Sequence, residues 1–533
     1  MTRRFLALSC TLVFGVQFVP AQAQETIHAS TRLVQINVLA QDSKGQPVPD
    51  LTQQDFTLEV SGRRRPIQVF SIERNAMPGG GAPVSTELAF SNRAAAGDPN
   101  LVIILFDEYN TSPRDVAHAR KQLLDTVSGL DANSRVAFYV LTHELKILFD
   151  FTTDRAALTA KLAAHSPAVG FTTEGDEIPS PGSTASPSLD AALGRAELTL
   201  AAARAAHRAE VTLDALNLIS AHVAGVQGRK TLVWLTGGVP ILVGHDPAFR
   251  DQGSKYERNL SIEVLRTSQA LDRADIAVDV VDLRGLRPDD QSRIRSPRRP
   301  LPNGQPAFAI DANYESMATL ALETGGEVFR NTNDIGRAVK LAIRDSQVSY
   351  ALGFYASREE LDGSFRPLRL QVNRRGVHLR YRTGFLATPD PDPNERLKQP
   401  LAGLLGAPVS LSEIGLRIEI QHAPGGKYEL TAHAGPSGLT LREVGGVWTG
   451  DFEWLAAAGR NGVYTASSQR LHIALKPDAY REVMAHGLTL TQSLALQAGD
   501  TEIGAAIRDV NTGTAGTLRL FHRSAAKRNP GEL

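Results

Sequence analysis

Asp107, Asn110, Thr111 and Ser112 put four oxygen-bearing side chains at the end of the stretch Leu101-Val-Ile-Ile-Leu-Phe-Asp-Glu-Tyr-Asn-Thr-Ser112. A carboxylate followed within one turn by an amide and a hydroxyl is a donor set for a hard cation such as Mg²⁺ or Ca²⁺, which take oxygen ligands. The same residue types equally serve to cap a helix, and Pro113 is well placed to open one. The residues before them fix their position. The apolar run from Leu101 to Phe106 reads as a strand buried on both faces, the habit of central parallel strands. Asp107 then stands at the carboxyl end of that strand, the edge at which open α/β sheets bind ligands.

The elements that must position this turn follow in an alternating order. Val116, Leu123, Leu124 and Val127 recur at helical spacing after Pro113. Strands are expected at Arg135–Leu141 and Leu145–Phe151, close enough to form a hairpin, and Asp154 caps a helix to about Ala164. Helix follows from about Leu189 to Val226, as one bent segment or two, and a buried strand at Lys230–Thr236 breaks into the turn Gly237-Gly238. A helix near Tyr256–Ala274, a strand at Ile276–Asp282, a helix at 313–324, the short strand Glu327–Arg330 and a helix from Asp334 complete the pattern. This alternation predicts one mostly parallel, doubly wound sheet with helices on both faces, over residues 100–347.

Period-two alternation marks the rest. A small β unit is expected over 24–75, and 348–388 supplies strands that pack with it. Residues 76–99, with Pro78-Gly-Gly-Gly-Ala-Pro83, and 389–400, with Pro389-Asp-Pro-Asp-Pro-Asn394, read as linkers. Repeated short strands over 401–533 predict a C-terminal β-sandwich. Residues 1–23 carry Arg3 and Arg4, an apolar run from Phe5 to Val19 and Ala21-Gln22-Ala23, the layout of a signal peptide cleaved near Ala23. The chain is therefore expected to be exported, to periplasm or exterior, with no transmembrane helix in its mature form. Its one cysteine, Cys10, lies in that leader. Charge is balanced at 57 basic and 57 acidic residues, and no basic stripe calls for a nucleic-acid partner.

Signatures of common chemistries are missing: there is no Gly-x-Ser-x-Gly elbow, no Gly-Lys-Ser/Thr phosphate loop and no His-Glu-x-x-His. Several motifs instead occur together in one order. They are Val38-Leu-Ala-Gln-Asp-Ser-Lys-Gly45, Asp50-Leu-Thr-Gln-Gln-Asp-Phe56, Leu101 to Thr111, Gly228-Arg-Lys-Thr-Leu-Val-Trp-Leu235, Glu323-Thr-Gly-Gly326, Tyr350-Ala-Leu-Gly-Phe-Tyr355 and Arg382-Thr-Gly-Phe385. In this order they resemble the VWFA-related acidobacterial domain family, from about Leu33 to Ala387. The resemblance implies a von Willebrand A-type α/β domain used for adhesion or protein interaction. Where such a domain has its metal site complete, Asp-x-Ser-x-Ser follows the first strand, a threonine comes from a later loop and an aspartate follows the fourth strand. Asp107 and Thr111 match the ends of the first motif, Tyr109 replaces its middle serine, and Gly237 stands where the later aspartate belongs. Asn110 is a substitute ligand, and Thr172 or Thr173 is the candidate loop threonine.

The leading expectation is a non-enzymatic protein-binding module with an incomplete metal site at Asp107, Asn110 and Thr111. The partner would be met by the loops carrying Tyr109, Ser112, Thr172, Thr173, Thr236 and Gly237. Two other classes remain open. One is a structural envelope protein attached through its C-terminal β domain. The other is a hydrolase using Asp107 and Asp282 at the sheet edge, although the implied strand order separates these carboxylates.

Overall fold

A computed structural model of the chain describes residues 32–74, 89–91, 101–130, 135–167, 187–226, 228–239, 242–243, 258–259, 261–285, 317–330, 334–345, 348–388, 393–423, 427–460, 463–496 and 500–521. The leader at 1–23 lies outside them.

Because Leu101–Asp107 has no polar residue before its last position, neither of its faces can meet water, and all seven residues are buried. It pairs in parallel with Val136–Leu141 on one side and Lys230–Thr236 on the other. Ile276–Asp282 and Val328–Phe329 continue the parallel array. Leu145–Thr152 closes the opposite edge antiparallel, as the hairpin reading required. Numbered along the chain, the six strands lie in the order 3-2-1-4-5-6, the doubly wound arrangement whose crevice opens between strands 1 and 4. Those are the strands of Asp107 and Thr236. Helices Pro187–Val223 and Ser261–Arg273 cover one face through Ala209, Leu213, Leu216 and Leu271. Pro113–Ser128, Arg155–Ala164 and Ile335–Asp345 cover the other. The segment expected as one helix or two is a single helix of 37 residues.

The α/β domain is inserted in a β unit. Arg32–Gln41, Val69–Arg74, Val348–Ala356 and His378–Arg380 form one four-stranded sheet, and Phe56–Val60, Arg63–Arg65, Phe365–Val372 and Gly384–Leu386 another. Ile36, Val38, Phe56, Leu58, Tyr350 and Leu368 meet between them in one core. Charged residues join this unit to the amino edge of the α/β sheet. Lys230 is 1% exposed, and burial lowers its pKa to about 8 despite the nearby Asp275 and Glu73 carboxylates. Asp275 adopts φ 54°, a left-handed conformation that aspartate tolerates better than most residues. It accepts a hydrogen bond from Asn37 Nδ2 at 2.9 Å.

Two antiparallel sheets with a shared core make up the C-terminal part, with Ile418, Leu430, Trp454 and Ile507 between them. Ala89–Ser91, inside the segment read as a linker, pairs with Leu416–Ala423 and closes an edge of this module. A free strand edge accepts any extended backbone, and three residues carry no side-chain pattern that announces it. Not all of the strands are short: Val463–Leu475 is one strand of 13 residues. After it comes an unforeseen helix, Pro477–His486, ended by Gly487 at φ 86°. This helix buries no residue fully, but Tyr480 stacks on Trp448 at 3.8 Å and Val483 packs against the C-terminal core; at ten residues it is shorter than the window over which a helical period is read.

The C-terminal part meets the α/β domain at His222, which is 6% exposed near the end of the long helix. His222 Nδ1 lies 2.6 Å from the Ser410 carbonyl, and Nε2 lies 3.3 Å from Asp150 Oδ2. Gly225 N–H donates to Ser412 Oγ at 3.0 Å beside it. Both ring nitrogens face acceptors, so only the imidazolium satisfies both. Burial pushes the His222 pKa down, but the Asp150 carboxylate and Ser410 carbonyl outweigh it, and the net shift is upward. The other titratable group against the ring is Tyr139, edge-on at 6.0 Å, whose hydroxyl donates to Asp150. A raised folded-state pKa stabilises this seam fully below the unfolded value of about 6.5, and the contribution is lost as pH rises through the folded value. Asp150 is 54% exposed, so solvent screens the pair and the effect is modest. Hydrogen exchange at residues 409–416 should accordingly lose protection as pH rises above about 6.5, after correction for intrinsic rates. The His222→Gln variant should show low protection throughout.

Candidate functional site

Strand Leu101–Asp107 ends by delivering Asp107 fully buried, at 0% exposure, to the crevice between strands 1 and 4. A carboxylate without water must find donors, and it does. Asn110 N–H reaches Oδ1 at 3.0 Å, and Asn110 Nδ2 bridges both oxygens at 3.1 and 2.9 Å. From the neighbouring strand, Trp234 Nε1 and Thr236 Oγ1 donate to Oδ2 at 3.1 and 2.8 Å. Burial raises the Asp107 pKa, and the hydrogen bonds from Asn110, Thr236 and Trp234 oppose that rise.

The turn is tied down around this carboxylate. Thr111 Oγ1 donates to the Asp107 carbonyl and accepts the Gly237 N–H at 2.9 Å. Asn110 Nδ2 also donates to Thr212 Oγ1, at 2.8 Å, on the long helix. Ser112, rather than Asp107, Asn110 or Thr111, is the N-cap of the next helix and accepts from Asp115 N–H at 3.2 Å. Glu108, 7% exposed, faces His165 across 2.8 Å on the far side of the turn.

A divalent cation does not fit these residues as they stand. Four donor groups already occupy Asp107, and Thr111 Oγ1 is engaged on both sides. No second carboxylate can come from position 237, because a Cβ there would lie 2.5 Å from the Asn110 carbonyl and 3.1 Å from Thr111 Cα. Mg²⁺ needs near-octahedral oxygen ligation, and among the described residues no three His, Cys, Asp or Glu side chains gather as a metal group.

No family model matches the chain, and no curated protein matches it. Among solved structures it is similar to an aerotolerance-related membrane protein from Bacteroides fragilis, at 17% identity over 46% of this chain and 98% of the other, TM-score 0.24. A conserved hypothetical protein, BatB, from Bacteroides thetaiotaomicron matches at 14% over 46% and 97%, TM-score 0.24. A von Willebrand factor type A protein from Catenulispora acidiphila matches at 10% over 89% and 76%, TM-score 0.26. Likenesses this distant carry no argument, and the fold rests on the strand order.

Of the residues expected to form the site, Asp107, Asn110, Thr111, Thr236 and Gly237 do come together. Two expectations are corrected. Tyr109, expected to face a partner, is 7% exposed and packs in the apolar core beside Ile103 and Leu105. Thr236, expected on the same surface, is at 0% exposure because its hydroxyl is held on Asp107. Thr172 and Thr173 lie outside the described residues. Asp107 and Asp282 end strands separated by Lys230–Thr236, and Asp282 is held by Arg284 at 2.6 Å. Sequence reasoning missed Trp234 and Thr212. Each carries a signal: an indole N–H inside Leu-Val-Trp-Leu, and a hydroxyl beside Leu213 on a buried helix face, both require partners.

Proposed function

We propose that this chain is an exported, non-enzymatic protein-binding module of von Willebrand A-like type, related to the VWFA-related acidobacterial domains, that meets its partner at the carboxyl edge of the α/β sheet. The observation that supports this reading is the use made of Asp107. Its carboxylate is committed to holding the Asp107–Ser112 turn, the long helix and the Thr236–Gly237 turn together, so it shapes a surface and is not free to act as a base or nucleophile. Among the described residues no helix is long and apolar enough to cross a membrane.

Photo-crosslinking probes on the full chain test this. One each at Ser112 and Glu144, on the carboxyl-edge turns, should capture the same partner, and one at Val463 should not. Capture from Val463 alone would sink the reading in favour of attachment through the C-terminal module. A specific observation supports that second reading: strand Val463–Leu475 pairs only with Val447–Arg460 among the described residues and is largely exposed. Such an edge can add a partner strand.

A further inference from the structure

We propose that the side-chain amide of Asn110 takes the structural place of a divalent cation in this fold, so that the carboxyl-edge surface is held in one shape without metal. This rests on the same site as the proposed function, but it concerns the free chain and stands or falls without a partner.

The argument starts from the orientation of the amide. Asn110 Nδ2 has acceptors on two sides, both oxygens of Asp107 and the Thr212 hydroxyl. The Thr212 hydroxyl gives its own proton to the Arg208 carbonyl at 2.8 Å, so toward Asn110 it can only accept. Turning the amide over would set its oxygen against a carboxylate and a hydroxyl with no proton left to offer. Only nitrogen inward satisfies the cluster. In this orientation Asn110 Oδ1, the one side-chain atom of the residue able to ligate a cation, is buried and makes no hydrogen bond. An unpaired buried acceptor is costly, and here it accompanies an amide placed by what its nitrogen does.

Nδ2 thus does what a bound cation does at such a turn. It offers N–H groups of partial positive charge to both oxygens of the carboxylate and links the first strand to the helix Pro187–Val223. Trp234 and Thr236 complete the carboxylate's hydrogen bonding from strand 4. The Asn110 carbonyl stands where a side chain at 237 would have to go, so the second carboxylate of a complete metal site is shut out by the same residue.

The test uses the full chain, with Mn²⁺ binding followed by electron paramagnetic resonance and melting followed with chelator or with millimolar Mg²⁺, Ca²⁺ or Mn²⁺. The native chain should bind no Mn²⁺ and melt at the same temperature throughout. The Asn110→Asp variant should set two carboxylates together, melt several degrees lower in chelator and recover most of that loss with a divalent cation, because binding to the folded state alone raises stability. Mn²⁺ bound by the native chain, with a rise in melting temperature abolished by Asp107→Asn, would overturn the proposal. An Asn110→Asp variant that melts identically with and without every cation would overturn it too. Should that variant fail to fold in any condition, the Mn²⁺ measurement on the native chain still decides.

Discussion

Replacing Arg380 with methionine is expected to cost the folded chain on the order of 3–5 kcal/mol, the range for removing one partner of a buried ionic group. Arg380 Nη2 lies 2.9 Å from Asp279 Oδ1, and Nη1 lies 2.7 Å from Asp345 Oδ2 and 3.1 Å from Glu327 Oε2. Its strand belongs to the β unit, whereas these carboxylates belong to the α/β domain, so the cluster joins the two. Asp279 and Asp345 side chains are only 2% and 6% exposed. Burial already raises the Asp279 pKa, with Arg380, Arg229 and the Glu327 N–H opposing, and without Arg380 only Arg229 and that N–H remain to hold its charge. Urea unfolding at neutral pH measures the loss. The deficit should shrink as pH falls, because a protonated Asp279 no longer needs a guanidinium. Asp279→Asn added to the variant should recover part of it for the same reason, and a double-mutant cycle would give the coupling.

Asp107→Ala should cost at least about 3 kcal/mol, since hydrogen bonds to a charged acceptor contribute more than neutral ones and their buried donors would be left unpaired. The abandoned groups are the Asn110 amide, the Trp234 indole and the Thr236 hydroxyl. Urea unfolding should show the loss equally with chelator and with Mg²⁺, and exchange protection should fall at Asn110 and Gly237 before it falls in the strand cores. A loss seen only when metal is present would instead mean that a cation, not the polar cluster, is what the carboxylate serves.

Much of this was legible along the chain. The unbroken apolar run before Asp107 required burial on both faces, and the alternation of strand and helix signals required a doubly wound sheet. Asp107 was therefore placed at a ligand-binding edge by local pattern alone. Pro477 and Gly487, which bound the unforeseen helix, were visible too, as were Tyr480, Val483 and Met484 at helical spacing between them, but ten residues are a shorter stretch than the window over which a helical period is read.

The sequence by itself determined the fold class, the strand that carries Asp107 and the inventory of donors and acceptors in its turn, because these follow from local patterning and residue chemistry. Only the tertiary structure decided what those groups do. Trp234 and Thr212 reach the cluster from 127 and 102 residues away along the chain, and such pairings depend on strand order and helix packing. Once those neighbours were in place, hydrogen-bond satisfaction in a fully buried site set the Asn110 nitrogen against Asp107 and turned a partial metal motif into a closed polar lock.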